Sequence, residues 1–219
     1  MKNDRIPSQS PGDQALSRGI RGYALAIRAL LLGAAACTVL FLLNLILWNR
    51  TGTAFLWASG GTVEHLCGSG IGGGTLGGLC HKLVGMERFG QIKKLAGSGS
   101  LSRVDLRIAD ITTDHATTLD PEMTAANFGN LAEDAAPADL AAGVVNLVLQ
   151  AIGTMTVLAC RSCGTKTVIL TGSVTTLDQA GPTFRDFEKL YGIHYIIPEN
   201  ATFATAIGAG LYSLKTERP

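Results

Sequence analysis

The sequence predicts an α/β fold over residues 51–219, with an unrelated apolar segment ahead of it. Three observations carry this. Apolar runs of strand length alternate with stretches of helical periodicity. Glycine- or hydroxyl-rich turns fall at the predicted strand ends and helix starts. The composition, 47% hydrophobic and 16% charged over 219 residues, is that of a chain with a real core, one domain or a lopsided two, and excludes disorder. With 18 basic and 17 acidic residues the net charge is +1, so no long-range field steers the protein onto nucleic acid. The five cysteines are odd in number and scattered, which points to a reducing compartment rather than a disulfide scaffold.

The chain opens on a polar lead, IPSQSPGDQ, followed by Arg18, Arg21 and Arg28. From Ala29 to Trp48 there is no charge, and only Thr38 and Asn44 interrupt the apolar run. That length would cross a hydrocarbon core of ~30 Å. Taken alone the segment reads as a signal anchor, without a small-x-small cleavage site after it. A buried helix, a strand pair or a stretch foreign to the folded domain fits the same letters. The three arginines would keep the N-terminus cytoplasmic and put everything after the span outside. Any membrane contact is therefore expected only through residues 29–48.

From Thr51 the elements follow in order. Ala54–Ala58 and Val63–Leu66 flank Ser59-Gly-Gly-Thr62 and predict a β-hairpin. The loop Gly68–Thr75 leads into a helix carrying Leu76, Leu79 and Leu83 and stopping at Gly85. Phe89, Ile92 and Leu95 share a second amphipathic face opposite Lys93 and Lys94, and Gly97–Ser100 is a loop. Leu140, Val144, Leu147, Val148, Ala151, Met155 and Leu158 recur at helical spacing, predicting a helix over Ala138–Cys160. Asp139, Asn146 and Gln150 within it favour a core helix over a second membrane span. A strand at Val168–Leu170, a helix at Phe184–Tyr191, a strand at His194–Ile197 and a closing helix at Ala201–Leu214 complete the chain. Strand, helix, strand in that order predicts parallel strands.

Three turns could hold phosphate: Thr51-Gly-Thr53, Gly70–Thr75 and Thr171-Gly-Ser173. Each offers backbone N–H groups and a hydroxyl, and glycine permits close approach. The middle turn also opens a helix, whose N-terminal dipole favours an anion. No Gly-Lys-Ser/Thr follows the glycines, and no acidic residue closes a βαβ unit about twenty residues on, so neither a P-loop nor a dinucleotide fingerprint is present. Cys160-Arg-Ser-Cys163 has no second ligand pair for zinc and reads as an ordinary helix end. His65, His81, His115 and His194 do not cluster, and Asp110, Asp114 and Asp120 read as solvated loop carboxylates. No metal site is predicted.

Four stretches in order, GSGIGGGTLGGLC (Gly68–Cys80), EMTAANFGN (Glu122–Asn130), VILTGS (Val168–Ser173) and ENATFATAIGAGLY (Glu199–Tyr212), resemble the type II pantothenate kinases. The resemblance runs from about Thr51 to Leu214. It implies an actin-like ATPase (ribonuclease H-like) domain with a mixed sheet flanked by helices. It also implies a cytoplasmic homodimer that phosphorylates pantothenate to 4′-phosphopantothenate with ATP and Mg2+, in coenzyme A biosynthesis. Carried over by motif, ATP contacts fall at Thr51, Gly73, Gly74, Thr75, Leu76, Gly77, Phe89 and Ser173. Substrate contacts fall at Thr53 and at His65, which stands where relatives have an arginine before the glycine loop. Ala54 stands where a hydroxyl can occur. The family's first hairpin, Asp-x-Gly-Gly-[Ser/Thr], and the catalytic carboxylate after it have no counterpart in residues 1–50. The expectation is a chain incomplete or frame-disrupted at that end, with its catalytic base unassigned and its turnover slow or nil. A non-catalytic nucleotide-binding or dimerisation module is the first alternative. The second is an iron–sulfur activator ATPase of the same superfamily, supported by Cys160 and Cys163 alone.

Overall fold

A β-hairpin begins the described part of the chain, which in this computed structural model comprises residues 53–59, 62–112 and 119–216. Strands β1 (Thr53–Ser59) and β2 (Thr62–Ser69) pair antiparallel from Ser59 opposite Thr62 to Thr53 opposite Ser69, with an irregularity between Phe55 and Leu56. Phe55 is buried while Ala54 and Leu56 on either side are exposed, the alternation of a strand with one covered face. The predicted hairpin is therefore present. Strand β2 runs on through Gly68 and Ser69, which read as loop in the sequence, because ladder pairing to Thr53 and Ala54 outweighs glycine's poor strand propensity.

Helix α1 (Gly73–Val84) ends at Gly85, whose φ of +67° gives the left-handed turn that closes it. Helix α2 (Phe89–Ala96) follows, burying Ile92 and Ala96. A short antiparallel pair, β3 (Leu106–Arg107) with β4 (Thr124–Ala126), brackets a single helical turn, α3 (Ile108–Ile111). Helix α4 (Pro137–Cys163) is 27 residues long, about 40 Å at 1.5 Å per residue. Its Ala141, Val144, Val145, Val148 and Leu149 are completely buried, and α1 and α2 both pack on it. By length and composition α4 could cross a membrane, but most of its apolar window is buried inside the chain. It is the predicted core helix.

Strands β5 (Thr167–Ile169) and β6 (His194–Ile196) pair parallel, joined by helix α5 (Ala180–Tyr191). This is the expected strand–helix–strand crossover. Gly153 of α4 lies beneath α5, where an added Cβ would stand 2.4 Å from Phe187 Cζ. A 3-10 turn at Ala201–Phe203 leads into helix α6 (Ala204–Thr216), in the place of the predicted closing helix. The described residues fall into two units, one ending at Ala204 and the other holding the stretch from Thr205 onward.

One mixed sheet was the expectation; the described strands instead form three separate two-stranded sheets. Strands β3 to β6, of two or three residues, expose few ladder groups, too few to recruit partners on both edges. The fold is thus α/β, built from helices and small sheets. The predicted apolar segment at 29–48 lies outside the described residues.

Candidate functional site

The glycine turn between β2 and α1 is held by hydroxyls. Thr53 Oγ1 donates to the Ile71 carbonyl at 3.0 Å, and Ser69 Oγ accepts from the Ile71 N–H at 3.0 Å. Thr75 Oγ1 donates to the Gly70 carbonyl at 2.8 Å and accepts from the Gly72 N–H at 3.3 Å. The first bond of α1 runs from the Leu76 N–H to the Gly72 carbonyl, 3.0 Å. The N–H groups of Gly73, Gly74 and Thr75 lie ahead of that bond and find no acceptor among the described residues. They gather at the positive end of a 12-residue helix with no acidic side chain in its first turn.

Leu76 is fully buried and anchors this turn to the core, with Ile71 half-buried beside it. The flank of α1 is open: a Cβ added at Gly77 or Gly78 would meet no heavy atom within 4 Å. Glycine costs a helix interior about 0.8–1 kcal/mol relative to alanine. Packing within the described chain does not account for that cost at these two positions.

The other predicted nucleotide contacts converge on the same core. Phe89 is the first residue of α2 and packs half-buried against it. Ser173 opens a 3-10 turn, Ser173–Thr176, entered through Gly172 at φ +97°, a conformation suited to glycine. The turn is fixed by Gly172 N–H to the Ala201 carbonyl at 2.9 Å and by Thr175 Oγ1 to the Gly172 carbonyl at 2.7 Å. Val174 and Leu170 join Leu76, Ile71 and Phe89 in one apolar cluster around α4. Lys93 of α2 pairs with Asp178, just past the 3-10 turn, at 3.0 Å. The glycine turn, Phe89 and Ser173 are therefore seated on a common support. Thr51 lies outside the described residues. His65 is exposed on β2 opposite Leu56, about 13 Å along the strand from Ser69 at 3.3 Å per residue. No described contact links it to the glycine turn.

Cys67, Cys80, Cys160 and Cys163 are free thiols. Burial pushes Cys80, on the inner face of α1, up to about 11. Burial and then the neighbouring Cys163 raise Cys160. Neither is the low-pKa thiol that redox or ligand chemistry requires. No group of three or more His, Cys, Asp or Glu side chains able to hold a metal occurs among the described residues.

One polar centre escaped the sequence reading. Asp105 is completely buried and accepts from the Phe128 N–H at 2.9 Å, Asn146 Nδ2 at 2.7 Å and Thr124 Oγ1 at 3.3 Å. It joins the β3–β4 pair to α4. Its only signal in the sequence is a lone carboxylate between the apolar Val104 and Leu106.

Among known proteins, the Fumble family model matches residues 46–181. The type II pantothenate kinase of Staphylococcus saprophyticus is 31% identical over 164 residues, covering 73% of this chain and 62% of that protein. The Staphylococcus haemolyticus type II pantothenate kinase is 32% identical with the same coverage. The chain thus spans about 62% of the length of these curated relatives. A crystal structure of T. kodakarensis HypF aligns with 57% of this chain and 17% of its own, at 16% identity and a TM-score of 0.36, too distant to bear on the fold.

Proposed function

Because the chain belongs to the Fumble family, we propose that its glycine turn grips the phosphates of ATP for the phosphorylation of pantothenate to 4′-phosphopantothenate. The observation that carries this is the set of three N–H groups, Gly73 to Thr75, that find no acceptor among the described residues, at the start of a helix with an open glycine flank. Phosphoryl transfer asks a protein mainly for positioning and charge stabilisation, and helix N-termini offer both to phosphate. In this reading Gly73, Gly74 and Thr75 bond phosphate oxygens through their backbone, and Gly77 leaves room for the nucleotide. Leu76 serves from behind as the buried anchor. Ser173, whose hydroxyl has no partner among the described residues, and Phe89 contact the nucleotide from the neighbouring elements. Thr51 completes the set. His65 lies on the pantothenate side.

The names of the relatives support the substrate. The family also supports an actin-like domain, a homodimer and a cytoplasmic location as parts of the same proposal. Mg2+ enters this proposal as the ion that accompanies ATP.

The test is ADP release by the full chain, with and without pantothenate, beside binding of a fluorescent ATP analogue. Analogue binding together with slow pantothenate-dependent ADP release is expected. Binding without any turnover would reduce the function to a nucleotide-binding module, and no binding at all would overturn the reading.

A further inference from the structure

Thr53 and Ser69 form the last rung of the β1–β2 hairpin, facing each other in register. Their hydroxyls reach the same residue. Thr53 Oγ1 holds the carbonyl of Ile71 and Ser69 Oγ holds its N–H, each at 3.0 Å. The residue ahead of the α1 cap is therefore clamped at both of its backbone groups by a rigid sheet end. Thr75 then closes the turn from the helix side through the Gly70 carbonyl and the Gly72 N–H. With the Leu76 N–H on the Gly72 carbonyl, the backbone groups of the turn from the Gly70 carbonyl to the Gly72 carbonyl are all occupied. Among the described residues, the N–H groups of Gly73, Gly74 and Thr75 are left over together.

We propose that Thr53 is a positioning residue for the phosphate grip, acting through Ile71, and not a contact to the substrate. The hydroxyl does two things at this place. It satisfies a half-buried carbonyl that would otherwise compete for the first N–H groups of the helix. It also removes the freedom of a glycine-rich turn, which would have to be ordered each time an anion binds. Ser69 and Thr75 complete the same frame, so the hydroxyl of Thr75 is already engaged within the protein and its backbone N–H is the group left for phosphate.

The functional consequence rests on the ATP reading, but the positioning itself can be tested without nucleotide. Thr53→Val keeps the shape of the side chain and removes the donor; Thr53→Ser keeps the donor. Amide hydrogen exchange is measured on the ligand-free full chain over residues 70–76, with α4 as the internal control, and then affinity for a fluorescent ATP analogue. Thr53→Val should exchange about 3–10-fold faster at the bonded amides of Ile71, Gly72 and Leu76, the effect of one lost hydrogen bond, while α4 stays at the wild-type rate. Its analogue affinity should fall by a similar factor, and Thr53→Ser should restore both. If wild type binds no nucleotide, the exchange difference still decides the positioning role, and only the ATP reading fails. Unchanged exchange in Thr53→Val, with a rise in KM for pantothenate alone, would make Thr53 a substrate contact and overturn the proposal. Equal acceleration in the Ser and Val variants would overturn it too, and so would acceleration that extends through α4.

Discussion

Replacing Asp105 should destabilise the protein more than any change at its surface. The carboxylate is completely buried and takes three donors: the Phe128 N–H, Asn146 Nδ2 and Thr124 Oγ1. Phe128 is held at φ +56°, an uncommon conformation for a bulky residue, and Asp105 secures that turn. In Asp105→Ala the Phe128 N–H loses its acceptor, while Asn146 Nδ2 keeps only its 2.9 Å bond to Thr124 Oγ1. Each orphaned buried group costs about 1–3 kcal/mol, so the Phe128 N–H and the Thr124 hydroxyl, both bonded to a carboxylate, together cost about 3–5 kcal/mol. That is a large share of a total stability of roughly 5–15 kcal/mol. At about 2–4 °C per kcal/mol for a chain of this size, Tm should fall by roughly 6–20 °C. Asp105→Asn alone sets one amide NH2 against another and should also be destabilising. The exchange Asp105→Asn with Asn146→Asp restores donor to acceptor and should recover much of the loss. Urea unfolding followed by circular dichroism measures wild type, Asp105→Ala, Asp105→Asn, Asn146→Asp and the double variant, with the pair treated as a double-mutant cycle. A cost below about 1 kcal/mol for Asp105→Ala, or a double variant no better than the sum of the singles, would refute the reasoning.

Gly153→Ala should cost about 1–3 kcal/mol by overpacking, because its Cβ would fall 2.4 Å from Phe187 Cζ; the smaller ring partner in Gly153→Ala/Phe187→Leu should return part of that in the same unfolding assay. Glu188 titrates below its usual 4.5, held there first by the Tyr195 backbone N–H and then by the His194 side chain. A depressed carboxyl stabilises fully above the unfolded value and loses that contribution as pH falls through the lower folded value. Unfolding measured from pH 6 down to pH 3 should therefore decline less steeply in Glu188→Gln than in wild type, whereas parallel curves would remove Glu188 from the acid sensitivity.

Much of the architecture is readable in the letters because long periodic elements declare themselves. Helix α4 carries its apolar spacing over 27 residues, so both its existence and its buried role follow from the pattern. Gly85 marks the end of α1 by the same logic that makes glycine a helix stop. Strands β3 and β4 do not declare themselves, since two or three residues carry no measurable alternation. Asp105 is hidden for a related reason: its partners Thr124, Phe128 and Asn146 lie 19, 23 and 41 residues away along the chain. At the glycine turn, the letters locate the helix start but not the direction of the hydroxyls. Thr53 reads as part of a phosphate turn and, by resemblance, as a substrate contact, and the letters do not show its Oγ1 on the Ile71 carbonyl. The number of sheets was also beyond the letters, because local pattern places strands but not the edges they share.

The most direct measurement is titration of the full chain with a fluorescent ATP analogue in the presence of Mg2+, comparing wild type with Gly73→Val. Gly73 is the first residue of α1, where a β-branched side chain would crowd the N–H groups of the helix start. A thermal melt of both proteins checks that the variant is folded. The account predicts that wild type binds and that the variant, with a melt within a few degrees of wild type, binds at least about tenfold more weakly, close to the value of one charge-assisted hydrogen bond. Equal affinity in the two proteins would contradict it, as would a wild-type chain that does not bind the analogue.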